Sequence, residues 1–303
     1  MQGKPRLGLV LGSGSARGWA HLGALAELSA MGVSPDVVCG CSMGALVGAA
    51  YAMGDLGKLE SWALSLDRKQ VFGLLDLSFK SGLIRGERLM SFFASHFVDC
   101  DFSELQREFA VVATDLATGR EIWLREGSVL QAVRASIALP GLMRPLPHDK
   151  SFLVDGGLVN PVPVSLARAM GAEVVIAIDL GSDVVGRRRG VGAELSAAAA
   201  ANGDRPGGIA NWLRTLRGDD GDDAKPPAEP SFPSLVSVLT TSINIMQVRI
   251  ARSRLAGDPA DVLLTPRLAH LGLLDYHRAA EAIEEGRAAV QRMQAAIRQV
   301  LDV

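Results

Sequence analysis

The sequence predicts an α/β domain whose mainly parallel sheet carries helices on both faces. Three observations lead there. Short apolar runs, Arg6 to Leu11 (RLGLVL), VVCGC at 37–41 and EVVIAIDL at 173–180, suit strands buried on both sides. Segments of helical periodicity alternate with them. Glycines, or the pair Pro35-Asp36, mark the changes of element.

In order, the first strand runs into a glycine loop, Gly12 to Gly18, and WAHLGALAELSAMG repeats apolar positions at helical spacing until Gly32 caps it. VVCGC is the second strand, and Ala45 to Met53 is helical and stops at Gly54. GERLMSFFASHF at 86–97 reads as an amphipathic helix, and FAVVATDLATGREIWLRE as two strands joined by a turn at Thr118-Gly119. SFLVDGGLVNPVPVSLARAMG gives strand, glycine turn and helix before the EVVIAIDL strand.

From Ser182 to Pro233 periodicity is lost among polyalanine, Arg187-Arg188-Arg189, GDDGDD and KPPAEP, with at most a helical turn at Ile209 to Leu216. That composition predicts a flexible insertion. A helix from 234 to about 255, a short strand in DVLLTP and a helix from Asp275 to the C-terminus follow. The expected organisation is a core at 6–181, the insertion at 182–233, and a C-terminal helical segment at 234–303 packing on the core.

Composition excludes several classes. With 31 basic and 33 acidic residues in 303, net charge is −2, and aromatics are 5%, so neither a basic nucleic-acid surface nor a base-stacking platform is expected. Cys39, Cys41 and Cys100 are odd in number and lack repeated C-x-x-C spacing, which argues against zinc or a disulfide framework and for a reducing compartment. No run approaches the roughly 20 apolar residues of a spanning helix, and no signal peptide is evident. A soluble cytoplasmic protein is expected, with peripheral contact at a membrane surface left open and the oligomeric state unspecified.

Gly40-Cys41-Ser42-Met43-Gly44 fits G-x-S-x-G between a strand and a helix, the context of a nucleophile elbow. Gly40 and Gly44 leave room for the sharp turn, and the helix start beneath Ser42 favours developing negative charge. A free hydroxyl is a poor nucleophile and needs a base. Asp155, followed by Gly156-Gly157 after the apolar run FLV, is the candidate, provided burial raises its proton affinity. The plain alternative is an Asp-Gly turn. Acyl transfer also needs amide hydrogens for an oxyanion, which a loop of Gly12, Ser13, Gly14, Ser15, Ala16, Arg17 and Gly18 offers. Arg17 either braces that loop or is a solvated helix-start arginine.

A dinucleotide fingerprint fits the loop less well: its third glycine comes one residue late, at Gly18, and the second strand ends at the serine turn instead of an acid for ribose. Of His21, His96, His148, His270 and His277, the last two stand in the chain order of a Ser-acid-His triad. A loop this early in the chain argues against that arrangement. His21 reads as structural, and His148 is nearest Asp155 in sequence. The stretch ASIALPGL at 135–142 is a helix end and loop that also stands to shape an acyl pocket. Arg249, Arg252 and Arg254 read either as solvated helix charges or as contacts for phospholipid headgroups.

Four segments in this order, GSGSARGWAHLGAL, GCSMGAL, ASIALPGLMRPL and VDGGLVNPVPV, resemble the patatin-like phospholipase family, closest to its bacterial branch related to neuropathy target esterase. The resemblance is dense over 6 to about 181 and extends to 234–303. It implies a patatin-like three-layer α/β/α fold with a nucleophile elbow. It also implies a Ser42–Asp155 dyad without histidine, an oxyanion hole in Gly12 to Gly18, and lipid or lysophospholipid esters as substrates, with no metal or organic cofactor. Ser13 and Ser15 depart from the family's commoner glycines, which bears on the shape of the hole. The other readings are a membrane-associated adaptor or regulator on a hydrolase scaffold, and an esterase with a Ser-His-Asp triad.

Overall fold

A computed structural model describes residues 4–74, 99–140, 142–183 and 235–301. The first half alternates as expected: β1 (Leu7–Leu11), a 3-10 turn (Ser15–Trp19), α1 (Ala20–Ala30), β2 (Val37–Cys41) and α2 (Met43–Met53). Two short helices, α3 (Leu56–Ser65) and α4 (Arg68–Leu74), follow in a stretch for which no element was expected. The middle holds β3 (Glu108–Asp115), β4 (Glu121–Leu124), α5 (Val129–Ser136), β5 (Leu146–His148), β6 (Ser151–Asp155), α6 (Val164–Ala169) and β7 (Val174–Ile178). The last part is α7 (Leu235–Gly257), β8 (Val262–Leu264), α8 (Ala279–Arg292) and α9 (Gln294–Leu301).

The helix expected at 86–97, with His96, and all of the 182–233 insertion beyond Asp183 lie outside the described residues. The single helix expected from Asp275 onward is instead a 3-10 turn at Tyr276–Arg278 and two helices. The helices part at Met293, whose N–H donates to Val290 O in a tighter turn at 2.9 Å.

Strands β3-β2-β1-β7-β8 run parallel, while β4, β5 and β6 join antiparallel, in the order β5-β6-β3-β2-β1-β7-β8 with β4 paired to β3. Alternate side chains enter opposite layers, as pleating requires. Leu7, Leu9 and Leu11 pack with α1 and α2, whereas Val10, Val37 and Cys39 pack with α6 and with Ala251 of α7. This is a three-layer α/β/α arrangement.

Two features of this frame position the site. First, β2 pairs with Glu108–Val112 of β3, β4 with Val111–Thr114, and β6 with Ala113–Asp115. Since β4 overlaps both others, β2 and β6 must share the opposite edge of β3, end to end. Cys41 sits against Val112 and Asp155 against Ala113, so two strands travelling towards each other finish at adjacent rungs. Second, α1 and α8 cross at glycines. A Cβ on Gly286 would stand 2.0 Å from Ala20 O, and one on Gly23 would stand 1.8 Å from Ile283 O, so the backbones touch.

Candidate active site

Ser42 follows β2 directly and precedes α2, and it makes the turn at φ 54°, ψ −123°, a conformation a side chain rarely adopts. The turn is held from both sides. Ser42 N–H donates to Ser136 Oγ at 2.8 Å, and Ser136 Oγ–H donates to Val112 O at 2.7 Å. At Gly44 a Cβ would meet Leu11 O at 2.0 Å, so only glycine lets α2 start this close to β1. A Cβ on Gly40 would likewise press on the first turn of α2, 2.5 Å from Ala45 Cα.

Asp155 arrives from the other side, its N–H donating to Ala138 O at 3.0 Å and its carbonyl accepting from Thr114 Oγ1 at 2.8 Å. Its side chain bridges the two turns. Oδ2 accepts from Ser42 Oγ at 2.7 Å and Oδ1 from Gly157 N–H at 2.7 Å. Gly156 passes so near β3 that a Cβ would stand 2.2 Å from Val112 O. Asp155 is 1% exposed. Burial lifts its carboxyl from the ordinary 3.8 to about 6, with the Ser42 and Gly157 hydrogen bonds pulling the other way. A carboxylate so placed accepts a proton from the serine hydroxyl far more readily than one in water.

The glycine loop closes over the same space. Gly12 N–H donates to Ile178 O, Ser13 N–H to Pro161 O, Ala16 N–H to Leu273 O and Arg17 N–H to Gly14 O. The amides of Gly14 and Ser15 have no acceptor among the described residues. Gly18 packs its backbone on α2, where a Cβ would meet Met43 Cβ at 2.4 Å. His21, wholly buried, donates from Nε2 to Gly12 O at 2.8 Å. Burial lowers its imidazole to about 4, so it stays neutral near pH 7 and acts as a brace. Arg17 is also buried, 1% exposed, with Nε donating to Leu271 O at 3.2 Å. The solvated alternative for Arg17 is therefore overturned.

Ser13 and Ser15 are both anchored by the C-terminal part of the chain. Ser13 Oγ donates to Gln247 Oε1 on α7 at 3.3 Å. Ser15, at φ 49°, donates from Oγ to Leu273 O at 2.6 Å, so the Tyr276 hydroxyl 3.0 Å away is the donor to Ser15 Oγ. Trp19 Nε1 donates to Tyr276 O at 3.2 Å, and the two rings meet edge-on at 6.1 Å. These partners were not foreseen, because nothing local in the sequence ties 13–19 to 247–276.

Ser42, Asp155 and the loop line one cavity. Its apolar wall includes Leu46, Trp62, Leu66 and Val71, together with Ile137 and Leu142 from the 135–142 stretch. None of the described histidines lines it. His148 lies half-exposed on β5, His270 Nε2 pairs with Glu281 at 2.5 Å, and His277 accepts from Arg68 Nε at 3.2 Å. Of the three arginines on α7, Arg254 pairs with Glu121, Arg252 donates to Ser182 O, and Arg249 is exposed. Asn244 and Gln247 also reach the cavity. A signal for Asn244 existed, since it stands at i, i+4 and i+7 with Val248 and Ala251 on the buried stripe of an otherwise apolar-faced helix.

Residues 9–168 match the profile of the patatin-like phospholipase family. The chain is 33% identical over 331 aligned residues to an uncharacterized NTE family protein of Mycobacterium tuberculosis, covering 96% of this chain and 92% of that protein. It is 36% identical over 184 residues to patatin-like phospholipase domain-containing protein 7 of Mus musculus, covering 58% of this chain and 14% of that one. Among solved structures, VipD from Legionella pneumophila aligns with a TM-score of 0.40 at 13% identity, over 99% of this chain and 77% of that one.

Proposed function

Because the chain belongs to the patatin-like phospholipase family, we propose that it is a serine acyl hydrolase that cleaves carboxylic ester bonds of lipids, of phospholipase or lysophospholipase type. The observation that carries this reading is the 2.7 Å hydrogen bond from Ser42 Oγ to a buried, proton-seeking Asp155, beside two unpaired loop amides. Ser42 Oγ attacks the ester carbonyl as Asp155 takes its proton. The oxyanion forms against the Gly14 and Ser15 amides, and its collapse expels the alcohol, which leaves with the proton held by Asp155. Water then attacks the acyl group on Ser42, Asp155 accepts the water's proton, and Ser42 recovers a proton as the fatty acid departs.

The apolar wall from α2 to α4 suits an acyl chain, and a cytoplasmic protein meeting lipid at a membrane surface accords with such substrates. No helix among the described residues is long and apolar enough to cross a membrane.

The test is covalent. A fluorophosphonate probe followed by mass spectrometry is expected to label the peptide containing Ser42, and Ser42→Ala to abolish both labelling and turnover of a p-nitrophenyl ester. Failure of the folded wild type to label or to turn over any ester would favour a lipid-binding adaptor on this scaffold.

A further inference from the structure

We infer that Asn244 and Gln247 of α7 form a binding site for the glyceryl portion of a monoacyl lipid, next to the reacting centre; that the lipid is an ester cleaved at Ser42 rests on the hydrolase reading. Asn244 is 7% exposed and lines the cavity, and its side chain has no hydrogen-bond partner among the described residues. A carboxamide that opens on a cavity with no protein partner presents a donor and an acceptor to a ligand there. Three residues on, on the same helix face, Gln247 also lines the cavity. Its Oε1 is taken by Ser13, while its amide nitrogen lies 2.4 Å from where a Cβ on Gly157 would stand. Gln247 thus touches both the glycine loop and the turn after Asp155, with Asn244 one helical turn further out.

The cavity has two ends, one against each layer flanking the sheet, and on α7 the polar Asn244 and Gln247 stand among Ile243, Val248 and Ala251. Leu46, Leu66 and Val71 belong to the core on one side of the sheet, whereas α7 packs through Ala251 into the core on the other. The acyl chain takes the first end, which leaves the alcohol half of the ester to the carboxamides. Charge narrows that alcohol. Among the described residues, the charged side chains lining the cavity are Arg17, Asp155 and Asp179. Arg17 is buried with Nε committed to Leu271 O, and the Asp179 carboxylate accepts from Gly181 N–H and Ser182 Oγ. An anionic group would face two carboxylates, whereas neutral hydroxyls find donors and acceptors in Asn244 and a donor in Gln247.

The experiment measures binding of a non-hydrolysable 1-O-alkylglycerol ether to the full chain, and hydrolysis of three esters of one acyl chain: p-nitrophenyl, monoacylglycerol and lysophosphatidylcholine. Asn244→Leu, with Asn244→Ala as a second variant, is expected to weaken ether binding about tenfold. It should lower kcat/KM about tenfold for both glyceryl esters while leaving the p-nitrophenyl ester within about twofold. Unchanged ether binding, an equal fall on all three esters, or a loss confined to lysophosphatidylcholine would each overturn the inference. Because the ether needs no chemistry, a chain that binds it through Asn244 yet cleaves no ester would refute the hydrolase reading while leaving this site standing.

Discussion

Replacing Asp155 by asparagine should make the protein more stable and almost inactive. In the folded chain the carboxyl titrates at about 6 against an ordinary 3.8, because burial penalises its charge more than Ser42 and Gly157 relieve it. A folded-state value above the unfolded one means the fold binds this proton more tightly. The stabilisation is complete below pH 3.8 and is lost as pH rises through about 6. At neutral pH the ionised form therefore costs about 3 kcal/mol. Asparagine cannot ionise, and its Oδ1 still accepts from Gly157 N–H. Asp155→Asn is accordingly expected to gain up to about 3 kcal/mol over wild type at pH 8, a margin that closes by about pH 4. Ester turnover should fall about 10²- to 10⁴-fold as the base is lost, and the wild-type kcat/KM should rise with pH through about 6. Urea unfolding at both pH values, alongside p-nitrophenyl ester kinetics, checks these signs together. A variant less stable than wild type at pH 8, or one that keeps near-wild-type turnover, would refute the argument.

Three further outcomes follow from the same geometry. Ser136→Ala strips partners from Ser42 N–H and Val112 C=O, and chemical denaturation should show a loss of about 1–3 kcal/mol with slower probe labelling. Tyr276→Phe keeps the ring against Trp19 but removes the donor to Ser15 Oγ, so kcat should drop about 3- to 10-fold at unchanged KM, and no further in a Ser15→Ala background. Gly286→Ala drives a methyl into Ala20 O, and a thermal melt should register a cost of about 1–3 kcal/mol or more.

The parts legible in the sequence were those written locally. Gly40 to Gly44 sits between a buried strand and a helix, and Asp155-Gly156-Gly157 closes another strand, so each turn could be recognised from its own neighbours. Their meeting could not, because it depends on β6 running antiparallel to β3 on the edge that β2 vacates at Cys41. Strand register of that kind is set by tertiary pairing, and β5, only Leu146–His148, carries almost no signal of its own. Ser136 looked like a helix-end residue and is the strut beneath the serine turn. The loop's two serines read as departures of unknown consequence until their partners, Gln247, Leu273 and Tyr276, appeared from far along the chain. Arg17 followed the same pattern, since only its long-range contact with Leu271 explains its burial.

The seating of α1 against α8 bears on how the polypeptide is made. Translation delivers α1 long before α8, yet each presses its main chain directly onto the other. While the intervening segments are being synthesised, that berth stands empty and the stretch leading into α1 lacks the carbonyls of Leu271 and Leu273 that fasten it. A chain halted after Val164 but before Leu271 would carry all four motifs and neither of those carbonyls.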